Sequence, residues 1–226
     1  MIYIENGKKD EIEIKTSEVL RYLGYGKNLP DENVKAEITR VTDEILSSVN
    51  PKTCFALLDI TIKDNTIDFG VFSAFSKSLA KNLKLCKKAV IFGATIGTET
   101  DRIISRYAKL TPSSAVIAQA VGTTAIESWC DIFCSRLGEK FKKDGLFLMP
   151  RFSPGYADFL LSHQKDIFNL LNCPKNIGVS ITDTLIMTPS KSVTAVVGLS
   201  DEDIKCKTGG CENCDKASTC EYLRGE

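Results

Sequence analysis

A chain of 226 residues has room for one domain, or one domain with a small appendage, and for a substantial core. Hydrophobic residues make up 43% and charged residues 26%, the composition of an ordinary globular protein rather than a disordered or fibrous one. Basic and acidic side chains balance at 29 each, so no overall field draws the chain to nucleic acid or to an anionic membrane. The sequence has no apolar run of the length a membrane-spanning helix needs, and Met1–Asn6 lacks the basic-then-apolar pattern of a signal peptide. The expectation is a cytoplasmic protein. Its nine cysteines then serve as thiols or metal ligands rather than disulfides.

Taken in order, residues 1–14 alternate weakly and predict an edge strand or hairpin. Thr16 or Ser17 is placed to cap a short helix through Leu23 that ends at Gly24 and Gly26. Asp31 and Glu32 open a longer helix, with Val34, Ile38, Val41 and Ile45 at helical spacing and Pro51 beyond its end. Cys54–Ile62 reads as a strand, paired with Ile67–Val71 across Asp64-Asn65. Ser76–Leu85 reads as a helix with lysines on its solvated face. Ala89–Gly93 is a continuous apolar run, hence a strand buried on both faces. After it, Thr98 as N-cap and Asp101 at the third position predict a capped helix start. Neither a P-loop nor a dinucleotide fingerprint follows the strand.

A long helix over about 113–142 carries Glu127 and Asp131 four apart, on one face. Trp129 and its apolar neighbours argue that this helix is partly buried, with one acid pointing into a site beside the loop that follows. Exposed acids are the plainer alternative. Gly122 and Gly138 mark kinks or close contacts. His163, the only histidine, is expected to be a surface or capping residue. Strands around 178–187 and 192–199 complete the core. Short elements of both kinds, without regular β-α-β alternation, predict an α+β fold with helices covering a bent, mixed or antiparallel sheet.

The densest chemistry lies in Arg151-Phe152-Ser153-Pro154-Gly155-Tyr156-Ala157-Asp158. Arg151 offers a planar fork of donors suited to a carboxylate or phosphate. Pro154-Gly155 predicts a tight turn open to close backbone approach, and Tyr156 a flat face able to cover a ring. These residues suit a small zwitterionic or anionic ligand. The alternative is an ordinary loop whose arginine meets a neighbouring acid and whose tyrosine packs.

Arg-x-Ser-Pro-Gly-Tyr-x-Asp resembles the signature of the activation (reactivation) domain of cobalamin-dependent methionine synthase. Farther along, Ile177–Val193 is similar to that family's second signature: an apolar strand, an acid–hydroxyl pair at Asp183-Thr184, a Met-x-Pro turn and a Ser-Val pair. Two motifs in the same order and spacing are more specific than either alone. The resemblance runs through residues 1–200, including Ala94–Arg102, and agrees with a bent sheet flanked by helices.

The resemblance implies an accessory role in a cobalamin-dependent methyltransferase system, in methionine biosynthesis. Such a domain binds S-adenosylmethionine and docks over cobalamin that has been oxidised to an inactive state. An electron donor such as flavodoxin or ferredoxin reduces the cobalt, and the sulfonium methyl is transferred to it. By the same resemblance, Arg151 pairs with the methionyl carboxylate, while Pro154, Gly155 and Tyr156 shape the backbone holding the adenosyl portion. Glu127 and Asp183 take amine or ribose hydroxyls. Ala157 stands where the family has glycine, and Asp183-Thr184 where it has Glu-Ser. A free-standing version of the domain meets its corrinoid protein, methionine synthase or another, in trans.

Residues 201–226 form a polar tail with Cys206, Cys211, Cys214 and Cys220 in a C-x4-C-x2-C-x5-C spacing. Four thiolates so close together, with Gly209-Gly210 for turning, suit one metal centre, zinc or a 4Fe–4S cluster. The tail is foreign to the family signatures. It raises a second reading, a metal-containing electron-transfer or interaction module for a corrinoid methyltransferase system. A small-molecule methyltransferase is a third reading, disfavoured because neither a nucleotide-binding glycine motif nor an obvious base is present.

Overall fold

The computed structural model describes residues 1–26 and 28–203. Cys206, Cys211, Cys214 and Cys220, and with them the metal reading of the tail, lie outside the described residues. Strands β1 (Ile2–Asn6), β2 (Lys52–Asp59), β6 (Cys86–Thr95), β7 (Phe147–Leu148) and β10 (Ser192–Ser200) form one antiparallel sheet in the order β1-β2-β6-β10-β7. Two small sheets accompany it. One joins β3 (Thr61–Lys63), β4 (Thr66–Asp68) and β5 (Ser73–Phe75); the other joins β8 (Ser180–Ile181) and β9 (Met187–Thr188).

The central strand β6 explains the layers. Successive side chains point to opposite faces, so Val90, Phe92 and Ala94 enter one core while Ala89 and Ile91 enter the other. The first core lies under helices α2 (Glu32–Ser48), α4 (Glu99–Leu110) and α5 (Pro112–Lys142). Trp129 of α5 is fully buried there, its indole N–H donating to the Thr53 hydroxyl at 2.9 Å, and Phe133 packs on Phe55 and Phe92. The second core lies under α3 (Lys77–Asn82), α6 (Gln164–Leu171) and α7 (Cys173–Ile177). With every strand pair antiparallel and helices on both faces, the fold is α+β, as the pattern of elements predicted.

Local signals decide several boundaries. Asp31 caps α2 by accepting the Val34 N–H at 2.9 Å. Asp64 and Asn65 both take positive φ, the geometry of a tight hairpin turn, between β3 and β4. One capping expectation is corrected: helix α1 (Thr16–Tyr22) has Lys15, not Thr16 or Ser17, at its N-cap position. Thr98 does occupy the N-cap position of α4 with Asp101 third in the helix, though without a side-chain cap bond. Asp101 instead accepts from the Ser190 N–H at 2.7 Å and hydroxyl at 2.5 Å, fastening the second motif to α4. Gly122 proves to be a close contact, because a Cβ there would sit 2.9 Å from Thr100 and 3.0 Å from Lys191; nothing crowds Gly138. No helix among the described residues is long and apolar enough to cross a membrane.

Candidate functional site

Helix α5 supplies the back wall. Glu127 and Asp131, one turn apart, both turn toward the loop after β7, where Arg151 reaches back to meet them. A single guanidinium nitrogen of Arg151 donates to Glu127 Oε2 at 3.1 Å and to Asp131 Oδ1 at 2.6 Å. The Arg151 side chain is 23% exposed, whereas Asp131 is largely in solvent. Cys130 and Cys134 lie on the same flank as free thiols, and burial pushes the Cys134 thiol up to about 11, so both are protonated at neutral pH.

The same two carboxylates line a cleft of about 500 Å³ on their other side. That size suits a small organic ligand. Its opposite wall comes from residues 11–22. Ile12 and Ile14 pack into the core, which leaves Glu11 and Glu13 on the open side. Glu18 and Tyr22, one turn apart on α1, complete the wall, with Arg21 paired to Glu18 at 2.7 Å and lying 4.3 Å over the Tyr22 ring. Tyr22 and Ile132 provide apolar faces. This wall was invisible in the sequence, because only tertiary packing brings it opposite α5.

The 151–158 loop is fixed at both ends. Phe152 bridges β10 through paired backbone bonds with Val196, each 2.9 Å. Asp158 accepts from the Ser76 hydroxyl at 2.6 Å and from the Lys77 and Ser78 N–H groups, so it caps α3. Those bonds, the serine hydroxyl first, hold its carboxyl down at about 2. Between the anchors Pro154 is buried, Gly155 takes φ +90°, and Ala157 takes φ +49°. Tyr156 is exposed and rests edge-on against Phe152 at 5.2 Å. The arginine therefore does meet neighbouring acids, and the tyrosine does pack, but beside an open cleft.

Asp183 lies apart from this cluster, exposed between β8 and β9, with no hydrogen bond to Arg151 among the described residues. His163 is half-buried and occupies the N-cap position of α6, without a side-chain cap bond; it stacks on Phe159 at 5.2 Å and its Nδ1 lies 2.7 Å from Asp166. Lys191 of the second motif donates to Gln119 and Thr123, two turns and one turn before Glu127 on α5. Among the described residues, no group of three or more His, Cys, Asp or Glu side chains is gathered to hold a metal.

Residues 138–215, which include both loop motifs, match the family model for the vitamin B12 dependent methionine synthase activation domain. Over those residues the chain is similar to that family. A crystal structure of the MetH reactivation domain bound to AdoHcy superposes with a TM-score of 0.66, covering 91% of this chain and 80% of that one, at 16% sequence identity. No curated protein matches the chain by sequence. The bent antiparallel sheet with its flanking helices is thus the fold of the reactivation domain.

Proposed function

We propose that this chain binds S-adenosylmethionine and supports the reductive remethylation of cobalamin carried by a separate methionine synthase or another corrinoid protein. The observation that carries the reading is Arg151, a mostly buried guanidinium paired with two carboxylates that themselves line a ligand-sized cleft. Its fork matches an amino-acid carboxylate, and Glu127 and Asp131 match the adjacent ammonium. Tyr22 and Ile132 offer apolar faces for the adenosyl rings, and the turn at Pro154-Gly155-Tyr156 borders Arg151 along the chain. The residues present fit such a ligand. Asp183, exposed between β8 and β9, is proposed to take the amine or a ribose hydroxyl, as the resemblance implies.

The sulfonium supplies a methyl group that carries its own leaving group, so the protein needs no general base at the transfer. What the chain contributes is placement. Arg151 and its acids fix the amino-acid end, and the cleft walls keep water from part of the ligand. The electron donor and the corrinoid protein come from outside. The measured relative was bound to AdoHcy, the thioether counterpart of the proposed ligand.

The test is calorimetric titration with S-adenosylmethionine. Wild type should bind one equivalent, and Arg151→Ala should lose about 10- to 100-fold in affinity, the worth of a bidentate charged contact. Binding that survives the substitution unchanged places the ligand elsewhere.

A further inference from the structure

We infer that this cleft selects its ligand by charge, favouring a cationic sulfonium over the neutral thioether left when the methyl group has gone. The inference rests on the ligand reading above and concerns what the walls add to it. Among the described residues five carboxylates line the cleft, those of Glu11, Glu13, Glu18, Glu127 and Asp131, against a single lysine, Lys15. Arginines behind the walls answer only part of that charge. Arg21 takes Glu18, Arg136 divides itself between Glu11 and Glu5, and Arg151 is shared by Glu127 and Asp131. Glu13 has no ion pair among the described residues. Negative charge is left over.

A zwitterionic amino-acid end sharpens the imbalance without adding to it. Its carboxylate replaces the two acids on Arg151, and those acids turn to its ammonium, so one set of ion pairs is exchanged for another. The sulfonium is the charge in excess, and it faces a wall whose acids outnumber their cations. Tyr22 and Ile132 add apolar surface to the walls, and charges in a cleft are screened less than in bulk solvent. On methyl transfer the S–CH3 bond breaks, its electron pair stays on sulfur, and the acceptor's pair forms the new bond to the methyl carbon. The ligand thereby loses its excess positive charge, and the cleft loses part of its hold. Product release is built into the walls.

The experiment is calorimetric titration of the full chain with three ligands at low and high sodium chloride. They are S-adenosylmethionine, S-adenosylhomocysteine, and sinefungin, whose amine keeps a positive charge without a sulfonium. The two cations should bind about 3- to 10-fold more tightly than the thioether at low salt, with the gap closing as salt rises. Glu13→Gln, which has no partner to lose, should narrow the gap by about 2-fold. Equal affinities, a tighter thioether, or a gap indifferent to salt overturns the selectivity while leaving the ligand reading in place. If none of the three binds, the ligand reading falls and takes the selectivity with it.

Discussion

Two of the arginine–carboxylate clusters that touch α5 are built on opposite plans. Near its start, Glu37 receives Arg40 and the Ser114 hydroxyl, each at 2.5 Å, while Glu44 receives Arg106 and the Tyr107 hydroxyl. Arg40 also donates to Tyr107 at 2.9 Å, and both guanidinia lie over its ring. Each acid there has its own arginine and its own hydroxyl, and the cluster ties α2, α4 and α5 together. From the middle of the helix, two acids that line an open cleft share one arginine. The balanced cluster is a joint; the unbalanced one is arranged to exchange partners. A charge network that is complete within the protein has little to offer a ligand.

The contrast is tested hardest at Arg151. Arg151→Ala, which should abolish most ligand affinity, should change unfolding free energy by less than about 1 kcal/mol in denaturant melts, because its acids can rehydrate. A mutant that unfolds outright makes the arginine part of the scaffold and ends the distinction. Glu44→Ala should show the reverse. It removes the acceptor of an arginine and a tyrosine at a partly buried junction, costing about 1–2 kcal/mol of stability with ligand affinity untouched.

Smaller effects sharpen the comparison. Glu127→Gln should weaken S-adenosylmethionine by about 5- to 10-fold, and the more exposed Asp131→Asn by about 2- to 3-fold, both read by calorimetry. Equal effects at the two positions count against a graded seat. The last expectation concerns acid. Arg40, and then the Ser114 hydroxyl, hold the Glu37 carboxyl at about 2, below its ordinary 4.5. A depressed carboxylate adds stability that is present above its unfolded value and lost as pH falls through its folded one. Denaturant midpoints should therefore drop between pH 4.5 and 2, and Glu37→Gln should flatten that part of the profile. An unchanged slope in the variant removes Glu37 as the cause.

Much of the fold was legible because its signals are local. The cap at Asp31, the Asp64-Asn65 hairpin and the unbroken apolar run of β6 each state their structure within a few residues. The misreadings came where a local pattern had a distant competitor. Thr98 and Asp101 do mark a helix start, yet Asp101 spends both oxygens on Ser190, 89 positions away, instead of on the cap. Asp158 looks like part of a ligand loop, and instead caps a helix 80 residues earlier. At the site, the i, i+4 spacing of Glu127 and Asp131 was readable, and so was the donor fork of Arg151. Glu11, Glu13 and Tyr22 carried no such mark, since nothing in residues 11–22 announces which wall they will face. Asp183 kept the motif's chemistry but not its company.

The double anchoring of the 151–158 loop has a consequence for redesign. Phe152 is bonded into β10 and Asp158 into the start of α3, so the fold's investment lies at the two posts. Between them Pro154 is buried and Gly155, at φ +90°, donates to Phe159, so these two belong to the frame as well. Libraries confined to the exposed Tyr156 and its neighbours Ser153 and Ala157, with the frame kept, should yield folded proteins at high frequency, and those positions become a place to graft new ligand preferences.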